Sequence, residues 1–305
     1  MMNTIWQGRN DGDDPLVARL FQSVTMNGVV EEKDFFLHGF AVDEGVRRNK
    51  GRTGAAQAPD IIRKSMANFP VTTPHFSLKD FGNIACRDGN LEQSQNDLAV
   101  AVAQKLMAGG KSIVLGGGHE VTYAHYSGIK TAFPNQKIGI INFDAHFDNR
   151  TPVNGEATSG TGFYQIGQGD NSWASLHIGI QRNSNTLLLF DTAHQLGMKY
   201  ILADELFFEN LPNLYLKIDA FLAEIDVLYI TICMDVFNAA IAPGVSALAY
   251  NGIFTDAAFM HLYRHILQSD KLKALDVAEV NPLYDIDNRT ARLAASLVNE
   301  WFMHS

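Results

Sequence analysis

Asn142-Phe143-Asp144-Ala145-His146-Phe147-Asp148 decides how this chain reads. It follows Lys137-Ile138-Gly139-Ile140-Ile141, a short apolar run behind a proline-containing turn. Such a run reads as a buried strand. The strand delivers Asp144, His146 and Asp148 at alternate positions, which share one face of an extended chain. These are three potential metal ligands. Fully extended they would spread over about 13 Å, too far to grip one small cluster. The chain must therefore curl after Asp144 if all three are to converge.

Outward from this stretch, strands alternate with helical segments. Strands are expected at 35–40, 80–85, 112–115, 176–180, 199–203, 227–232 and 272–280. Helices are expected at about 16–23, 60–69, 91–108, 121–132, 186–196, 214–224, 256–268 and 288–302, with Thr255 as the N-cap of the helix from 256. Residues 1–33 read as polar and irregular, 43–52 as a long polar loop and 151–162 as a Gly/Ser/Thr-rich loop. The strands are near-continuous apolar runs, which fits a parallel α/β sheet buried on both faces. No linker or repeat interrupts the pattern, so one domain is expected over 1–305. In such sheets the ligand site lies beyond the carboxyl ends of the strands. His119, Asp144, Cys233, Asp235 and Glu279 all fall there, delivered by four separate strands.

Composition narrows the function classes. The chain has 305 residues, 46% hydrophobic and 19% charged, as in a soluble globular protein. Its net charge of −9, with no basic block, argues against a nucleic-acid partner. Two cysteines, Cys86 and Cys233, make no disulfide framework, and a cytoplasmic location is expected. Met1 to Trp6 carry no basic segment before an apolar core, so no signal peptide is read. No apolar run approaches the roughly 20 residues needed to span a membrane.

His119, Asp144, His146, Asp148 and Asp235 supply two imidazoles and three carboxylates. That mixed set suits Mn²⁺, and less specifically Fe²⁺, Co²⁺, Ni²⁺ or Zn²⁺. It exceeds what one tetrahedral ion needs, so two ions ~3.5–4 Å apart are the simpler reading. Gly116, Gly117 and Gly118 are expected to let the backbone pass close to the site.

Gly116-Gly117-Gly118-His119-Glu120, Asp144-Ala145-His146-Phe147-Asp148 and Asp235…Ala242-Pro243-Gly244 together resemble the ureohydrolase superfamily of arginases and agmatinases. The resemblance runs from about Asp43 to Pro282. It implies a three-layer αβα sandwich around a mainly parallel sheet. It implies two Mn²⁺ ions per subunit, whose bridging hydroxide attacks an amidine carbon. Carried over by motif, His119 and Asp148 would bind one ion and His146 and Asp235 the other. Asp144 would bridge both, and Asp148 would also carry the proton. Members often form homo-oligomers. Glu279 stands where the family has a carboxylate that pairs with the planar amidinium.

One position departs from the family. Where it reads Asp-x-Asp, this chain has Cys233-Met234-Asp235. Cys233 could bridge as a thiolate, stand beside a weakened ion, or leave a mononuclear site. A thiolate is softer and favours Zn²⁺ or Fe²⁺, so weaker or more variable occupancy is expected.

The substrate's tail is read from the loops. The segment after the metal motif holds Arg150 and no histidine, and Gln181-Arg182-Asn183 adds a second arginine. Arg150 and Arg182 suit a small amidine bearing carboxylates, not a cationic tail. Asn49 and Arg48 are further candidates at the mouth. With Asp43 to Arg52, Ser159-Gly160-Thr161, Ser184-Asn185-Thr186 and Ala242 to Ala247, these segments are similar to the branch of the family used in histidine degradation. That resemblance implies hydrolysis of N-formimidoyl-L-glutamate to L-glutamate and formamide. The chain departs from it at Ala58, Gly162 and Leu248, where glycine, proline and proline are expected. The alternatives are a relative acting on guanidinobutyrate, agmatine or arginine, or a metal-binding homologue impaired at Cys233.

Overall fold

A computed structural model describes residues 5–72 and 76–304. The signal-peptide reading rested partly on residues 1–4, which lie outside the described residues.

Nine strands are described: β1 Val24–Met26, β2 Phe35–Ala41, β3 Leu78–Ala85, β4 Lys111–Leu115, β5 Ile138–Phe143, β6 Trp173–Ile180, β7 Lys199–Leu202, β8 Val227–Cys233 and β9 Leu272–Ala278. The helices are α1 Leu20–Ser23, α2 Glu44–Arg48, α3 Ala58–Met66, α4 Leu91–Met107, α5 Val121–Ala132, α6 Gly162–Gly169, α7 Leu187–Gln195, α8 Leu211–Ala223, α9 Ala257–Leu267 and α10 Arg289–His304. The strands form one sheet in the order β1-β3-β2-β4-β9-β8-β5-β6-β7, and every pairing is parallel.

Apolar residues on both faces make this a three-layer sandwich. In β4, Ile113 and Leu115 join the core on one side and Val114 the core on the other. In β5, Ile141 and Phe143 face the first and Ile138 and Ile140 the second. The alternation is the period of two that a strand imposes. The first core is closed by α3, α8, α9 and α10, the second by α4, α5, α6 and α7. The expected αβα architecture is therefore observed.

Short elements differ from expectation. The loop at 43–52 contains α2, five residues braced by Glu44 with Arg47 and Arg48. Pairs three and four residues apart stabilise a helix, but a segment this short shows no periodicity. β1 lies in the segment read as irregular, and it is a three-residue edge strand defined by its pairing with β3. α6 has glycine at both ends and poor propensity, and is held by buried Phe163 and Ile166. α9 is capped by Asp256, not Thr255: the Asp256 carboxylate accepts the Phe259 N–H at 3.0 Å. The glycines before His119 serve close packing. A Cβ on Gly117 would lie 1.8 Å from the Val42 carbonyl oxygen, and one on Gly118 would lie 2.0 Å from Glu120 Oε2.

Candidate metal centre

β4, β9, β8 and β5 are consecutive neighbours at the middle of the sheet. Their carboxyl ends carry His119, Glu279, Cys233 with Asp235, and Asp144 with His146 and Asp148. β5 stops at Phe143 and the chain bends at 145 and 146. Asp148 then takes φ 46°, and Glu279 takes φ 65° after β9. Left-handed backbone is unfavourable for residues with a Cβ and persists where surroundings enforce it. The Glu279 N–H donates to the Gly117 carbonyl at 2.8 Å, and the His119 N–H donates to Glu279 Oε1 at 3.0 Å. These bonds tie the β4 and β9 ends together.

Asp144 sits between the two imidazoles. Its Oδ2 lies 3.0 Å from His119 Nδ1 and its Oδ1 lies 3.4 Å from His146 Nδ1. The backbone N–H of His146 donates to the same Oδ1 at 2.8 Å. His119 Nδ1 is also 2.8 Å from Asp148 Oδ2, and His146 Nδ1 is 3.3 Å from Asp235 Oδ2. Two sets of potential ligand atoms result, His119–Asp144–Cys233 and Asp144–His146–Asp235, each with its atoms within 4.8 Å of one another. The sets share Asp144. Asp148 falls outside both and joins through His119.

Burial and crowding shift every titratable group of the cluster. Burial, then the Asp144 charge, pushes the Asp148 carboxyl up. Burial raises Asp235, and Asp144 adds to the effect against His146. Glu279 is driven well up by burial and by Glu120 and Asp235. Burial and the surrounding carboxylates push the Cys233 thiol far up, and it donates to Asp235 Oδ1 at 2.9 Å. Burial opposes ionisation of Asp144 as well, but hydrogen bonds from His119 and His146 hold it low. Burying this many carboxylates is costly; against burial, the same carboxylates raise His119 and His146 well above the ordinary imidazole range, and these imidazoles offset part of the cost. Mixed carboxylate, imidazole and thiol donors fit a divalent transition-metal ion.

The cluster opens into a cavity of ≈ 270 Å³ whose walls include Asn49, Arg150, Ser159, Ser246 and Glu279. Arg182 does not reach it. It lines a separate cavity with Gln181, Asn183 and Asp204, because the turn after β6 directs 181–183 toward β7 and Leu202. Arg48 lines an adjoining cavity with Asn49 and Arg150, and its guanidinium is committed to Glu44 and Glu92 and to the carbonyls of Ala157 and Gly89. Asn49 lines the cavity and donates to Ser159 Oγ at 3.2 Å.

Thr231 escaped the sequence reading. Its Oγ1 is 3.0 Å from His119 Nε2 and 3.3 Å from Thr122 Oγ1. It lies two residues before Cys233, hence on the same strand face, which was the available signal. Ser246 escaped as well; its Oγ accepts the Arg52 N–H at 2.8 Å.

A nine-stranded parallel αβα sandwich with paired ligand sets at its carboxyl edge defines a class. The Arginase family model matches residues 33–304, and the chain belongs to that family. It is a hydrolase acting on C–N bonds of linear amidines. Formimidoylglutamase of Staphylococcus carnosus is 42% identical over 306 residues, covering 98% of this chain and 97% of that protein. Formimidoylglutamase of Staphylococcus aureus is 40% identical over 304 residues, covering 97% of each. The crystal structure of Bacillus subtilis formimidoylglutamase superposes with a TM-score of 0.87 at 21% identity, over 97% of this chain and 94% of that one. Trypanosoma cruzi formiminoglutamase with two Mn²⁺ ions gives 0.79 at 24% identity, over 89% and 93%. At those identities the solved structures establish the shared fold.

Proposed function

We propose that this chain, as a single cytoplasmic catalytic domain, hydrolyses N-formimidoyl-L-glutamate to L-glutamate and formamide in histidine degradation, with Mn²⁺ as cofactor. The full-length similarity to formimidoylglutamases supports the reaction. The observation that carries the substrate class is Arg150. It shares a cavity with the ligand cluster and Glu279, and among the described residues nothing pairs its guanidinium. A free arginine beside a hydrolytic centre suits a substrate carboxylate.

His119, Asp148 and Cys233 would hold one ion, His146 and Asp235 the other, with Asp144 shared. Bound there, the ions would neutralise the crowded carboxylates and bring the ionisation of a water molecule near neutral pH. Glu279 accepts N–H bonds from the amidinium and turns its carbon toward that water. Asp148 accepts the water's proton and delivers it to the departing nitrogen. Arg150, with Asn49 and Ser159 beside it, holds the carboxylate nearest the reacting carbon.

The test is product analysis of Mn²⁺-loaded protein offered N-formimidoyl-L-glutamate, 4-guanidinobutyrate, agmatine and arginine separately. Formamide and L-glutamate from the first, with no urea from the others, is expected. Urea as the main product from any guanidino compound would overturn the assignment.

A further inference from the structure

α2 ends in a complete Schellman turn. The Gly51 N–H reaches the Val46 carbonyl at 2.9 Å and the Lys50 N–H reaches the Arg47 carbonyl at 3.0 Å, the two bonds that define the motif. The left-handed position between them ordinarily belongs to glycine. Here it is Lys50, with φ 61°, while a glycine stands one residue later. The turn keeps a long cationic side chain where the backbone favours none.

Lys50 lines a second cavity of ≈ 360 Å³ that shares Asn49 and Arg150 with the metal cavity. Three cations, Arg48, Lys50 and Arg150, line this chamber against one carboxylate, Glu156. Arg48 is already saturated by Glu44 and Glu92. Among the described residues no partner binds the Lys50 ammonium. Two unpaired cations thus stand in sequence outward from the ligand cluster: Arg150 at the boundary of the two cavities, Lys50 beyond it.

We propose that Lys50 is a specificity-determining residue that binds the distal carboxylate of a dicarboxylate amidine, while Arg150 holds the proximal one. The assignment rests on the reaction proposed above. In a formimidoyl amino acid the α-carboxylate is one carbon from the reacting nitrogen, and a side-chain carboxylate lies further out. A molecule with only the first reaches Arg150 and leaves Lys50 empty. Lys50 therefore discriminates by tail length and charge and does not take part in bond breaking.

The experiment compares wild type, Lys50→Gly and Lys50→Arg on N-formimidoyl-L-glutamate and on N-formimidoylglycine. Glycine at 50 relieves the left-handed strain, so the turn survives the substitution. In Lys50→Gly, KM for the dicarboxylate is expected to rise roughly tenfold or more, as for loss of a charge-assisted hydrogen bond. Its kcat and both constants for the monocarboxylate should hold, and Lys50→Arg should retain most of the preference. Equal loss on both substrates, or no loss on either, overturns the assignment. If wild type releases no formamide from either compound, the proposed reaction fails. Lys50 is then judged by calorimetric titration with L-glutamate: weaker binding in Lys50→Gly supports the site, and equal binding overturns it.

Discussion

Glu279 and Cys233 show how much one side chain can decide. Glu279 is held in left-handed backbone by bonds to Gly117 and His119, so its carboxylate is pre-aimed. Glu279→Gln keeps the shape and removes one of two acceptor oxygens. We expect kcat/KM to fall about 100-fold, the scale of a misoriented substrate, with the fold unchanged by circular dichroism. Cys233 is a buried thiol hydrogen-bonded to Asp235, with its pKa pushed well up by burial and neighbouring charges. Metal must displace that proton to use the sulfur. Cys233→Asp should bind Mn²⁺ more tightly in calorimetric titration; unchanged affinity would mean the side chain at 233 is no ligand. At this scale much of the site was legible. His119, Asp144, His146, Asp148, Asp235 and Glu279 all lie at strand ends, where side-chain chemistry and position coincide. Arg182 misled because a sequence shows that a loop follows a strand but not which cavity the loop faces. Lys50 was hidden because its signal is a backbone angle.

Elements carry the site by holding strand ends in register. Thr231 in β8 sits against His119 Nε2, leaving Nδ1 toward Asp144 and Asp148. An outer partner of this kind orients a ligating imidazole. Thr231→Val should weaken Mn²⁺ binding about 10–100-fold, read by metal titration, and unaltered binding would deny β8 this role. At the opposite side of the sheet, Arg63 of α3 grips Asp80 of β3 through two bonds, at 2.8 and 2.9 Å, with both side chains buried. Arg63→Leu leaves the buried Asp80 carboxylate without its cation, held among the described residues only by the Trp6 and Gly82 N–H groups, and should cost about 3 kcal/mol in urea unfolding. Long elements were legible because eight-residue strands and seventeen-residue helices repeat their period. β1 and α6 were not, because tertiary packing, not local pattern, makes them strand and helix, and α2 is too short to show a period.

The whole molecule buries titratable groups far from its centre, and these set how stability responds to pH. His38 in β2 stacks on Phe81 with ring centroids 5.3 Å apart. Burial, helped by Lys105, pushes its pKa from 6.5 down to about 3. The unfolded chain therefore takes up the proton first. The stability it protects is complete above pH 6.5 and drains away as pH falls toward 3. At pH 5 the loss is about 2 kcal/mol. His38→Gln should flatten this acid limb in urea midpoints measured between pH 7.5 and 5, and parallel curves would refute it. The central claim concerns the middle of the same sheet, where four neighbouring strands assemble one cluster for two cations. Crystals grown with Mn²⁺ and measured at the manganese absorption edge test it most directly. Two anomalous peaks about 3.5–4 Å apart, one beside His119 and Asp148, the other beside His146 and Asp235, with Asp144 between them, are predicted. A single peak, or none, would contradict the account.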